Sequence, residues 1–600
     1  MSKEENKTEE TELTKASAEE TAEEKATEGK NEQAEKTDAE ITSDTAEATS
    51  AKSEADSKNK KKQKEISPLK ELKAKKKDMP RKEYKAEKKK VKKEMKADKT
   101  RPISKAKVTL LLVLLFLFTF LLAGVIWALN TWSVINMDEL LFHLRVSLRG
   151  TNPDMVKEFI LYTVGGGLLV TIPAAFLLIK FSRKRGKVGR IIYRVLQLIT
   201  SFILIGAILG AWFGFGLGKF IRNQFRYSNL IAQEYVDPGT VKLTFPEKKR
   251  NLIFIYMESM EMTFTDEANG GAFEENIIPE LTEMAKENED FSGNSSYING
   301  GIALPCTIWT MGAIFGTTSG LPLKTPLSRN GMSEKNSFFP GIVNMGDILE
   351  DAGYNNRLIM GTDATFGGCR LYYESHGDFT IHDYEYAKDV GLIPEDYKVW
   401  WGYEDEKLFA YAQDELLELS KEDKPFHLVL QTMDTHFEDG HYCPQCDRKF
   451  GKNKYANVMN CSSRMVQAFV EWAKTQDFYE NTTIVITGDH PTMDTDFCEN
   501  VPNSYQRKTY TCIINPAVSV KDPDKVRKYS TLDLFPTTLA AMGVEIEGNR
   551  LGLGTNLFSD TPTLLERYEQ TKVETDFDQR STLMEKMFKG QYTSPGKKQK

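Results

Sequence analysis

Beyond residue 250, four short apolar runs each lead into a group able to bind a metal or move a proton. "NLIFIYM" (251–257) is followed by Glu258-Ser259, and "NRLIMG" (356–361) by Asp363 and Phe366-Gly367-Gly368. "FHLVLQT" (426–432) is followed by Asp434-Thr435-His436, and "TTIVIT" (482–487) by Gly488-Asp489-His490. One carboxylate after one strand means little, because Asp and Ser commonly cap the helix that follows. Four such ends form a constellation. Glu, Asp and His offer mixed oxygen and nitrogen ligation, which suits Mn2+, Mg2+ or Zn2+ better than a thiolate-seeking metal. Glu258, Asp489 and His490 leave a position for a further ligand.

A hydroxyl is one way to fill it. The stretch "GGIALPCTIWTMGAIFGTTSG" (300–320) carries five threonines and serines and no charged side chain. A cation beside a threonine oxygen lowers its pKa and makes a nucleophile without a separate base. The alternative is a glycine-rich packing turn whose hydroxyls bond to backbone. Composition leaves both readings open.

These residues need elements that bring them together. The four runs, with "TYTCII" (509–514), read as strands buried on both faces. Helical patterns such as "NMGDILEDAG", "EDEKLFAYAQDELLELS" and "SSRMVQAFVEWAKTQ" lie between them. Alternation of this kind predicts a mainly parallel sheet flanked by helices, an α/β fold whose ligands sit beyond the carboxyl ends of the strands.

Three further runs, 108–129, 159–179 and 195–218, are long and apolar enough to cross a bilayer. The first starts too far into the chain for a signal peptide. The lysine-rich block 66–106 and the loop 180–190 predict a cytoplasmic N-terminus, which places everything after about residue 220 outside the cell. Lysines directly before a span favour a membrane surface over nucleic acid, and no nucleic-acid motif accompanies them. Residues 1–65 are too polar to bury a core. The expected organisation is a disordered cytoplasmic tail (1–65), a basic juxtamembrane segment (66–106), a transmembrane region (107–220), a linker (221–249), an outer catalytic domain (250–558) and a C-terminal helix and tail (559–600).

All seven cysteines follow residue 300, and an odd count outside the cell leaves at least one unpaired within the chain. Cys443-Pro-Gln-Cys446, with His441 before and Cys461 after, has half the spacing of a zinc site. No second pair follows, so a disulfide or free thiols is the expectation.

The segments "RNLIFIYMESMEMTF", "CTIWTMGAIFGTTSGLPL", "MDTH", "ITGDH" and "STLDLFPTTLAAMG…NRLGLGTNLF", in that order over roughly residues 230–558, resemble the membrane-anchored phosphoglycerol transferases. That family includes lipoteichoic acid synthase and the enzyme that modifies periplasmic glucans, within the alkaline phosphatase/sulfatase superfamily. "ESMEMT" and "TIWTMG…GLPL" are closer to the glucan-modifying branch. The C/S-x-P-S-R motif of a sulfatase is absent, which disfavours sulfate ester cleavage. The resemblance implies one divalent metal, Mn2+ with Mg2+ as the alternative, on Glu258, Thr307, Asp489 and His490. It implies Thr307 as nucleophile, chosen over Thr310 because it stands fifteen residues before Pro322, as in the family's pattern. His436 would contact the phosphate or protonate the leaving group, while Asp363, Phe366 and Arg370 would contact substrate. The implied donor is phosphatidylglycerol and the acceptor an envelope polymer or glycan, at the membrane and without nucleic acid. Phosphoethanolamine transfer and phosphodiester hydrolysis are alternatives on the same fold. A catalytically silent scaffold is a third, against which the intact set of four ligands argues.

Overall fold

The strand Asn251–Met257 (β1) is apolar at every position after the first, and it lies inside a seven-stranded sheet with both faces covered. The computed structural model describes residues 68–77, 79–98, 103–132, 137–182, 187–327, 337–494 and 496–595. The remaining strands are Gly300–Gly301 (β2), Asn355–Met360 (β3), Thr380–His382 (β4), Phe426–Gln431 (β5), Thr482–Gly488 (β6) and Thr509–Ile514 (β7). Their spatial order is β2-β7-β6-β1-β5-β3-β4. β6, β1, β5, β3 and β4 run parallel, while at one edge β7 pairs antiparallel with β6 and β2 antiparallel with β7. The mainly parallel sheet therefore stands as expected. The two shortest strands carry too few residues to give a pattern.

Side chains alternate across the sheet as the two-residue strand period requires. Leu252, Phe254 and Tyr256 enter one core, and Ile253, Ile255 and Met257 the other. Helices Thr310–Ser319, Met345–Asp351 and Leu534–Ala541 supply the first face, and Pro279–Glu287, Asp405–Leu419 and Lys454–Lys474 the second. After Phe558 the sequence suggests one flanking helix. Three short helices form instead: Leu564–Arg567, Gln570–Asp578 and Thr582–Lys589. Their Val573, Phe577, Met584 and Phe588 share the core of Leu252, so this segment belongs to the domain.

Among the described residues, three helices are long and apolar enough to cross a membrane: Lys105–Thr131, Pro153–Phe181 and Val188–Gly214. Leu169, Phe202 and Phe213 on them are more than two-thirds exposed, which lipid would cover. The third span ends earlier than the apolar run suggests, because Gly216 adopts the left-handed backbone and starts a separate short helix. Residues 68–98 form helices Pro68–Ala74 and Arg81–Asp98, the second largely exposed. The tail 1–65 lies outside the described residues.

Parallel pairing sets the site. Met257 of β1 sits beside Gly488 of β6, so the next residues, Glu258 and Asp489, emerge together at the carboxyl edge. On the other side of β1, β5 delivers the 432–436 segment to the same edge, and β3 beyond it delivers Asp363.

Candidate active site

Glu258, Asp489 and His490 are fully or almost fully buried, and their ligating atoms lie within 4.8 Å of one another. His490 Nε2 is 3.6 Å from Glu258 Oε1 and 3.5 Å from Asp489 Oδ2. Each group is held by a bond that leaves one atom free to point inward. His490 Nδ1 faces Pro491 O at 3.0 Å, so it carries the proton and Nε2 keeps its lone pair. Asp489 Oδ1 accepts from the N–H groups of Ser259 and His490, each at 2.8 Å. Its Oδ2 is buried with no hydrogen-bond partner. Glu258 Oε1 accepts from Ser259 Oγ at 2.7 Å. Ser259 reaches it with a left-handed backbone (φ 56°), a strained turn for a serine and one common where function dictates geometry.

Two buried carboxylates side by side are expensive without a positive charge. Burial first, then Glu258, push the Asp489 carboxyl up to about 7. Burial opposes the charged form of His490, but Asp489 and Glu258 outweigh it and raise the imidazole above its usual value. An orphaned carboxylate oxygen, a second carboxylate and a bare imidazole nitrogen fit a divalent cation, with hard oxygen donors in the majority.

Of the hydroxyls in residues 300–320, Thr310 is the one bonded to this cluster. Its Oγ1 lies 3.3 Å from Glu258 Oε2 and 3.4 Å from His490 Nε2, and the residue is only partly buried. Thr310 opens helix Thr310–Ser319, whose preceding residue, Trp309, gives no side-chain cap. The first N–H groups of that helix are therefore available to an anion beside the hydroxyl. Thr307, the residue indicated by the family's spacing, is placed otherwise. It is fully buried, and its Oγ1 donates to Leu304 O at 2.8 Å. Spacing to Pro322 counts residues along the chain, whereas the start of the helix decides which hydroxyl faces the carboxylates.

The other expected residues divide. His436 is half-buried between Trp401 and Phe437, and its Nδ1 is 2.7 Å from Phe437 O. Burial pushes its pKa down to about 4, the bond to Phe437 O pulls the other way, and His490 lowers and Asp489 raises it by smaller amounts. Asp363 is buried and ion-paired to Arg149 at 3.0 Å. Phe366 packs against His143 and Trp401. Arg370 pairs with Asp383 and Glu374, so local carboxylates occupy its guanidinium.

One contribution had no signal in the sequence. The segment between the first two spans forms helix Met137–His143 and lies against the site. Phe142 is fully buried and packs near Trp309, Asp138 pairs with Lys324 at 2.8 Å, and Gly367 N donates to Ser147 O. Burial pushes the Glu139 carboxyl up to about 8, against an opposing pull from His490. The outer loop thus belongs to the site's wall.

Residues 250–544 match the sulfatase family. Phosphoglycerol transferase I from Escherichia coli is 29% identical over 428 residues, covering 70% of this chain and 53% of that protein. The protein of the same name from Xanthomonas campestris is 27% identical, covering 73% of this chain and 61% of that one. The chain thus spans about half the length of the curated relatives it matches. Among solved structures, the lipoteichoic acid synthase from Listeria monocytogenes is 15% identical, with a TM-score of 0.41 over 56% of this chain and 82% of that one.

Proposed function

We propose that the chain, whose residues 250–544 match the sulfatase family, is a membrane-anchored, metal-dependent phosphotransferase that moves glycerophosphate from phosphatidylglycerol to an envelope polymer or glycan. The observation that carries this reading is the Thr310 hydroxyl in reach of both Glu258 and His490 at the mouth of a buried ligand cluster. The resemblance to phosphoglycerol transferases supports the donor, and the three apolar helices support work at a lipid surface.

Glu258, Asp489 and His490 would hold a divalent cation, Mn2+ first and Mg2+ second, with Thr310 completing the set in place of Thr307. When bound, the cation supplies Lewis acidity to a phosphate oxygen and lowers the pKa of the neighbouring hydroxyl. Thr310 Oγ then forms its bond to phosphorus as the bond to the diacylglycerol oxygen breaks, leaving glycerophosphate on Thr310. The free N–H groups opening helix Thr310–Ser319 face the charge that builds on the phosphoryl oxygens. His436 is neutral at physiological pH, so it does not start as the proton donor that the resemblance implies. We assign it a relay: Nε2 takes the Thr310 proton and hands it to the departing oxygen, completing diacylglycerol. An acceptor hydroxyl then displaces the glycerophosphate by the reverse sequence, and two inversions at phosphorus give net retention. Asp363 and Phe366 line the approach, while Arg370 becomes a phosphate contact only on leaving Asp383 and Glu374. The reading puts this domain outside the cell, where the donor head group and the acceptor are found.

The full chain in detergent, given Mn2+ and lipid labelled in the glycerol head group, tests the donor. Release of diacylglycerol from phosphatidylglycerol, with label moved to an added glycan, is the expected result. Equal or faster cleavage of phosphatidylethanolamine would favour phosphoethanolamine transfer, and label appearing only as free glycerophosphate would favour hydrolysis.

A further inference from the structure

A second cluster of ligating atoms lies apart from the carboxylate site. Cys443 Sγ is 3.5 Å from Cys446 Sγ and 3.7 Å from Cys461 Sγ, and all three sulfurs lie within 4.8 Å of one another. We propose that Cys443, Cys446 and Cys461 bind one zinc ion through three thiolates, with the fourth position taken by an oxygen or nitrogen ligand.

Cys443-Pro-Gln-Cys446 closes a tight turn, with Cys446 N donating to Cys443 O at 3.1 Å. The two thiols of such a C-x-x-C turn project to the same side, the arrangement that zinc knuckles use. Cys461 comes from the middle of helix Lys454–Lys474 and is fully buried, so its sulfur is held by a rigid element. Tetrahedral zinc with bonds of about 2.3 Å to sulfur separates neighbouring thiolates by about 3.8 Å. The two closest separations here are near that edge. A disulfide would draw one pair to about 2.05 Å and leave the third thiol over.

Soft sulfur donors prefer zinc to the manganese or magnesium suited to Glu258 and Asp489. The role that follows is structural. The ion would tie the loop leaving His436 to helix Lys454–Lys474 and so steady the wall on which His436 sits.

The test uses full-length protein produced with zinc and washed with a weak chelator. The expected result is one tightly held zinc per chain, retained in Asp489→Asn and lost in Cys446→Ser, a mild change because Cys446 is only partly buried. All three thiols should resist alkylation until a strong chelator is added. Co2+ replacing the zinc should show a sulfur-to-metal charge-transfer band, which the carboxylate–imidazole site cannot produce. Non-reducing peptide mapping that finds a disulfide within the cluster would overturn the proposal. So would three thiols that alkylate freely in protein holding no zinc. Because the readouts are thiol protection and a thiolate band, failure of the transferase reading leaves this result intact.

Discussion

Replacing Thr310 with alanine is expected to lower phosphoglycerol transfer by about 10,000-fold or more, the scale on which an enzyme loses its nucleophile. The side chain is partly exposed, at the start of its helix, and within 3.4 Å of two metal-ligand candidates, so its removal takes away the attacking atom and little packing. Thr310→Ser keeps a hydroxyl there and should retain measurable activity. Thr307→Val is the informative contrast. It removes a buried hydrogen bond to Leu304 O, costing about 1–3 kcal/mol of stability. Correctly folded Thr307→Val should turn over within a few-fold of the parent. Steady-state rates of the three variants, each checked for an unchanged thermal transition, separate the two threonines. A Thr307 variant as dead as Thr310→Ala would return the nucleophile to the position indicated by the family's spacing.

The second large effect concerns the cation. Asp489→Asn preserves shape, yet it removes the negative charge and the oxygen that has no partner in the described structure. It should weaken Mn2+ binding by more than the roughly 10–100-fold seen when only an outer partner of a ligand is lost. Activity at fixed metal should fall in parallel and recover partly at high metal. The pH dependence has a definite sign. In the metal-free site the Asp489 carboxyl is raised to about 7 and His490 is raised above its ordinary value. Below pH 7 a cation must displace protons from both groups, and above it must displace progressively fewer. Apparent affinity should therefore fall by about tenfold per pH unit for each proton displaced as pH drops below 7, and level off on the alkaline side. Calorimetric Mn2+ titrations at pH 6, 7 and 8 check this, and an affinity that is flat or rises towards pH 6 would contradict it.

What the amino-acid order discloses, and what it hides, follows from the same physics. Glu258, Asp489 and His490 are legible because each follows a fully buried strand, and adjacent parallel strands must end together. The register Met257 opposite Gly488 turns that expectation into contact. Thr310 is harder, since residues 300–320 contain several hydroxyls and only the start of the helix picks one out. The extended Trp309 that precedes the helix, and so sets Thr310 at its start, appears only in the structure. Helix Met137–His143 carries no local mark of its destination. The contacts of this helix and of the residues after it, Asp138 to Lys324 and Arg149 to Asp363, join residues nearly two hundred or more positions apart. The C-terminal helices were likewise visible as helices, but their burial depends on a core face that only the assembled sheet presents. Arg370 shows the opposite limit: it is the basic residue nearest the substrate loop that the resemblance implies, while Asp383 and Glu374 decide what the side chain does in this state.

In the proposed reaction a phosphoryl group rests on one named oxygen between the two transfers. Full-length protein mixed with Mn2+ and phosphatidylglycerol, without acceptor, can be quenched in acid and its peptides mapped by mass spectrometry. The expected result is a glycerophosphoryl adduct on Thr310, absent in Thr310→Ala and discharged when acceptor is added before the quench. An adduct on Thr307 or elsewhere, or steady transfer with no protein-bound phosphoryl group under single-turnover conditions, would contradict it.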